Sequence, residues 1–166
     1  LKKIILTLTT ILIALVFNAC SSSDSFRGSK WGSTVDDVVK QEKYLDNIEY
    51  EKSVENNERQ GEVTVLDYEN IIEFDQDVFF ISYEFKKNLN GKVYTEPVLF
   101  EATYYFEDNS FDNEIFLNNI EAKYGEGKKV SNALGIPVIE WNVGDSRIVY
   151  FPDSATLNYE HISESF

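Results

Sequence analysis

Two runs of alternating residues constrain this chain more than any other feature. Phe79, Ile81, Tyr83 and Phe85 alternate with Phe80, Ser82, Glu84 and Lys86, and Val98, Phe100, Ala102, Tyr104 and Phe106 recur against Glu101, Thr103 and Glu107. A period of two sends successive side chains to opposite sides of a strand, so both runs predict half-buried antiparallel strands. Asn90-Gly91 lies between them and suits a tight turn with positive φ, which makes the pair a hairpin with Pro97 at an edge or bulge. Residues 48–54 and 62–68 flank a polar run and predict a second hairpin, and 138–143, 147–151 and 155–161 predict a three-stranded meander.

Two segments follow a helical period instead. Ser33 or Thr34 can cap a helix over 34–44, with Asp36 and Asp37 in its first turn and Val35, Val38 and Val39 on its apolar stripe. Phe116, Leu117, Ile120 and Tyr124 form the stripe of a second helix over 112–124, which Gly125 terminates. The connections are too short for parallel crossovers. The expected fold is therefore α+β, an antiparallel sheet with two helices packed on one face, and the order also allows two helix-plus-strands units.

The N-terminus has a different character. Lys2-Lys3 precedes Ile4 to Phe17, which is apolar apart from three Thr and shorter than the ~20 residues a membrane span needs. This is the layout of a signal peptide over 1–19. Phe17-Asn18-Ala19-Cys20 followed by Ser21-Ser22-Ser23 resembles a bacterial lipobox. The resemblance implies that the Cys20 sulfur receives a diacylglyceryl group and that cleavage frees its amine for a further acyl chain. Two or more chains hold a protein stably at a bilayer. Residues 20–27 then read as the lipidated Cys and a Ser-rich tether, and 28–166 as a single domain. The resemblance places the protein in the cell envelope, at the outer membrane if the cell has two, since Ser21 and not Asp follows the Cys. Cys20 is the only cysteine, so no intramolecular disulfide can form.

Removing Lys2 and Lys3 with the leader leaves 13 basic against 29 acidic side chains in 147 residues, a formal charge near −16. Such a field repels phosphate, so nucleic acid is not an expected partner. A basic partner or a divalent cation suits it better, as does simple solubility.

Gly32-Ser33-Thr34-Val35-Asp36-Asp37-Val38 resembles the Gly-x-Thr-x-x-Gln-Val helix start of the small outer-membrane-assembly lipoproteins (the SmpA/OmlA or BamE family) and of the β-lactamase-inhibitor-like proteins. Asp37 stands where that family has Gln. The resemblance implies a helix-plus-sheet fold and a role in holding other envelope proteins.

Motifs for chemistry are sparse. The sequence has no Gly-x-Ser-x-Gly elbow, no His-Glu-x-x-His and no cysteine pair. The single histidine, His161, shares a strand row with Ala155, Leu157 and Tyr159 and reads as structural. Gly28 to Ser33 lacks the Walker spacing and reads as a turn and cap. Asp108-x-Ser110-x-Asp112 begins like a calcium loop, but Asn113 and Asn119 stand where Gly and Glu belong. Trp31 and Trp141 could stack on sugar rings, though aromatics beside periodic apolar positions more often lie in a core. No catalytic, metal or cofactor-binding residue is assigned, and Cys20 is the one site residue. The expected function is a membrane-anchored envelope lipoprotein acting as a non-enzymatic binding or assembly module for another protein or peptide. The alternative is a small carboxylate-dependent hydrolase or carbohydrate-binding protein.

Overall fold

The computed structural model describes residues 25–45, 49–57, 61–89, 91–107 and 109–162. The leader, Cys20 and the start of the tether lie outside these. The chain order is β1 (Ser25–Phe26), β2 (Ser29–Lys30), α1 (Val35–Leu45), β3 (Tyr50–Asn57), β4 (Gly61–Glu73), β5 (Gln76–Leu89), β6 (Lys92–Phe106), α2 (Asn113–Tyr124), β7 (Lys128–Ser131), β8 (Pro137–Val143), β9 (Ser146–Phe151), a 3₁₀ turn (Pro152–Ser154) and β10 (Thr156–His161). Strands β3 to β10 form one antiparallel sheet in the order β3-β4-β5-β6-β10-β9-β8-β7, and β1 pairs with β2 alone.

This corrects the expected fold class. The fold is mainly β, with 60% of the described residues in strands and 20% helical, and not a helix-packed α+β fold. Nor is it two helix-plus-strands units, because β6 pairs directly with β10 and joins the early and late strands into one sheet. The physical reason is strand length. β4, β5 and β6 run for 13, 14 and 15 residues, about twice the usual strand, and irregularities break the alternation that would have revealed their extent. Asn70 sits at φ 60 inside β4, and the β5–β6 register shifts three times. One shift leaves Phe79 outside the ladder and exposed, so Val78 takes the inward position the alternation had given to Phe79. Pro97 falls between the pairs Asn88↔Val93 and Lys86↔Val98, within a second irregularity, where a residue without an N–H costs no ladder bond.

One side of the sheet carries the core. Tyr68, Ile81, Tyr83, Tyr104, Tyr150 and Leu157 are all buried there. Val38 of α1 and Phe116 and Ile120 of α2 close over them. Thr34 and Asp37 make reciprocal capping bonds at the start of α1 (2.8–3.3 Å), and the Asp112 carboxylate accepts from the N–H groups of Glu114 and Ile115 at the start of α2. Trp141 donates its indole N–H to the Gly125 carbonyl at 2.8 Å. A Cβ added to Gly127 would meet that indole at 2.5 Å and Ile139 at 2.3 Å, so the α2–β7 connection passes close to β8 only because residue 127 has no side chain.

The last residues of the segment read as a tether belong to the fold. Phe26 is buried against the rings of Tyr83, Tyr104 and Tyr159 at 4.9–5.2 Å. Arg27 and Gly28 form the two-residue β1–β2 turn with φ 47 and 84, the left-handed pair that matches strand twist. Arg27 reaches inward to Glu42 of α1 at 3.1 Å and to Glu73 of β4 at 2.7 Å, and the Tyr83 hydroxyl also donates to Glu42. Burial works against the Arg27 charge, but Tyr104 and the Glu42 carboxylate outweigh it and hold the guanidinium above its ordinary range.

Candidate functional site

The opposite face of the sheet follows from the same alternation. In β5, β6 and β10 the residues between the core positions point away from the helices, and the register aligns them into rows. Glu84 stands directly opposite Glu101, Glu101 opposite Glu160, and Glu160 opposite Arg147. The next row runs Asp67, Ser82, Thr103, Asn158. Beyond it Phe80 faces Tyr105, their rings stacked at 4.3 Å.

Three carboxylates side by side on neighbouring strands are an unusual arrangement, because like charges placed opposite one another destabilise a sheet. Compensation is partial. Arg147 bonds Glu160 at 2.6 Å and Glu140 at 3.2 Å, and Asn158 donates to Glu101 at 2.6 Å. Lys86 lies over the Phe100 ring at 3.7 Å. Phe100, the bulged residue of β6, packs with Val63, Val65 and Leu89 into a small apolar cluster at this end of the face.

The electrostatics follow from that geometry. Desolvation and the neighbouring Glu101 push Glu84 up to about 7, with Lys86 opposing. Desolvation also raises Glu101, against the Asn158 bond, and raises Asp67, against its bond to Ser82. Tyr105 is raised for the same reason, with Glu84 adding to it. Glu140 moves the other way because Arg147 hydrogen-bonds its charged form.

A consequence for stability can be stated with its sign. Glu84 holds its proton more tightly folded than unfolded, so between about pH 4.5 and 7 the folded state binds more protons and stability falls as pH rises. Water on this face screens the effect to on the order of 1–2 kcal/mol. Glu84→Gln is expected to remove that part of the slope and to stabilise the protein at pH 8. Urea titrations at pH 5 and pH 8 check this, and an unchanged slope in the variant would count against it.

The residues singled out from the sequence are placed as follows. Cys20 lies outside the described residues. Trp31 is half-buried, donates its indole N–H to the Ser146 hydroxyl at 2.8 Å and stacks on His161 at 5.9 Å, and Trp141 is buried in the core. His161 lies at the far end of the meander, paired with Ser146. Of the calcium-like run, Asp108 lies outside the described residues and Asp112 caps α2, while Asn119 donates to the Phe74 carbonyl and the Asp75 carboxylate. Among the described residues no group of three or more His, Cys, Asp or Glu is arranged to hold a metal ion, and no helix is long and apolar enough to cross a membrane. The sequence analysis missed the Glu84-Glu101-Glu160 row. Each residue was legible as an outward strand position, but their alignment depends on the pairing of β10 with β6, which brings together Glu101 and Glu160, 59 positions apart.

The chain matches no protein-family model, no curated protein and no solved structure.

Proposed function

We infer that this protein is a lipid-anchored lipoprotein of the cell envelope, held through acyl chains on Cys20, whose folded part is a non-enzymatic binding module for another protein or peptide. The observation that carries the reading is the two-sidedness of the sheet. One face is closed by α1, α2 and a dense ring cluster, which makes the sheet a rigid support. The other presents aligned carboxylates beside a stacked Phe80–Tyr105 pair, and rigid platforms of this kind bind without first paying an ordering cost.

The anchor is tested by fractionation. Cys20→Ala is expected to move the protein from the membrane pellet to the soluble or secreted fraction, because the acyl chains supply the attachment and the acidic surface repels anionic lipid. Membrane retention equal to that of the unaltered protein would defeat the anchoring part of the reading.

A second reading, a carboxylate-dependent hydrolase or carbohydrate-binding protein, draws on one observation. Glu84 and Glu101 are a directly opposed pair, which sets their Cβ atoms about 4.5–5.5 Å apart, and a carboxyl near 7 is suited to general-acid work. The first reading is preferred because the pair is the middle of a longer row on a broad sheet face. Turnover of an oligosaccharide that Glu84→Gln abolishes would reverse the preference.

A further inference from the structure

We propose that the helix-free face of the sheet, along the Glu84-Glu101-Glu160 row and the adjoining Phe80–Tyr105 pair, is a docking surface for an extended, positively charged peptide segment of a partner protein. The inference rests on the reading of the chain as a binding module and names where and what it binds.

Charge complementarity is the first argument. Neighbouring strands lie about 4.8 Å apart, so the three carboxylates span about 10 Å, the reach of about three residues of extended chain. Basic side chains on alternate residues of such a segment can meet two members of the row at once. Among the described residues neither Glu84 nor Glu101 forms an ion pair; Arg147 engages only the end of the row. Lys86 acts on Glu84 and Glu101 through space and offsets only part of the repulsion built into the row, so an incoming cation can relieve the rest, and a half-buried site makes that exchange stronger than it would be in open water.

The second argument is independent of the acids. The face already accepts a cation on an aromatic ring, with the Lys86 ammonium 3.7 Å from the Phe100 centroid. Phe80 and Tyr105 offer a second ring surface, bordered by Phe79, whose ring lies 5.3 Å from Phe80 and which is 57% exposed. Exposed apolar residues beside carboxylates fit the stems and guanidinium planes of Arg better than they fit a bare metal ion. Between the two zones Asn158 donates to Glu101 and to the Thr103 hydroxyl, which holds the middle of the face in place.

The test uses the full chain in uncharged detergent micelles and a fluorescent nine-residue peptide of alternating Arg and Thr, followed by polarisation. The peptide is expected to bind, and its alternating Glu and Thr counterpart is not. Glu101→Gln with Glu160→Gln is expected to weaken binding by about tenfold or more, and Glu101→Lys to abolish it. Glu114→Gln with Glu121→Gln, exposed positions on α2, should leave it unchanged. Melting temperatures establish that each variant is folded, and Glu84→Gln, which relieves repulsion, provides a second variant along the row. Equal weakening by the α2 pair would show attraction to net charge alone and overturn the proposal. So would failure of the peptide to bind, or stronger binding of a chito-oligosaccharide at the same face. Absent peptide binding with Cys20-dependent membrane retention intact would remove this inference and leave the anchored module standing.

Discussion

Arg27→Ala is expected to destabilise the protein by about 3–5 kcal/mol. The Glu42 carboxylate is fully buried, and Arg27 is its cationic partner, so losing the guanidinium strands a charge that the Tyr83 hydroxyl cannot neutralise. Glu73 loses the same partner. Alanine also leaves a side chain at φ 47, and glycine there does not carry that cost. Arg27→Gly is therefore expected to be less damaging than Arg27→Ala by about 1 kcal/mol, and the difference reads the backbone strain directly. Replacing Arg27 by Met together with Glu42 by Leu should recover much of the loss, since a well-packed apolar pair often matches a buried ion pair. Recovery stays incomplete because Tyr83 then lacks its acceptor, at about 1–3 kcal/mol. Guanidinium chloride titrations of the three variants and the unaltered protein measure these differences. A loss under about 1 kcal/mol for Arg27→Ala, the size of an exposed pair, would show that the cluster does not secure β1, α1 and β4 to one another.

Phe116→Ala carries the second large effect, a loss of about 3–5 kcal/mol. The Phe116 side chain is fully buried, with ring contacts to Phe74, Phe106, Phe111 and Tyr150 at 4.6–5.6 Å. These rings come from the β4–β5 turn, the end of β6, the approach to α2, and β9. Truncation would open a cavity at the point where α2 joins four separate segments, and Phe106 and Tyr150 are fixed in sheet ladders and cannot move to fill it without breaking ladder bonds. The turn itself depends on that contact. Phe74 and Asp75 are both left-handed, at φ 53 and 56, and Asn119 of α2 holds them from above. A fall in melting temperature on the order of 10 °C is expected for a chain of this size. Ile115→Ala, one residue away and 44% exposed, should change stability by less than about 1 kcal/mol. Similar shifts for the two variants would mean that α2 is not anchored through its inner face.

What the sequence could and could not disclose follows from the range of the interactions involved. Both helices were legible to within a residue at each end because caps and stripes are local: Thr34 and Asp37 lie three apart, as do Asp112 and Ile115. The three hairpin and meander groups were legible for the same reason. The fold class was not, because the full lengths of β4 to β6 are hidden by Asn70, by the bulge at Phe79 and by the irregularity at Pro97, each of which interrupts the alternation without ending the strand. β1 read as part of the tether because two residues give no period, and Arg27 carries no local sign of its bonds to Glu42 and Glu73. The acidic face was half legible. Glu84 and Glu101 were visible as outward positions of one hairpin, whereas Glu160 joins them only through a pairing that no local pattern encodes.

The central claim, that the face opposite the helices is the working surface, is tested most directly by mapping a bound peptide. Amide chemical shifts of the full chain in micelles, followed during titration with the alternating Arg and Thr peptide, should move at Glu84, Thr103, Glu101 and Asn158 while those of α1 and α2 stay fixed. Shifts confined to α1, α2 or the β3 edge would contradict it.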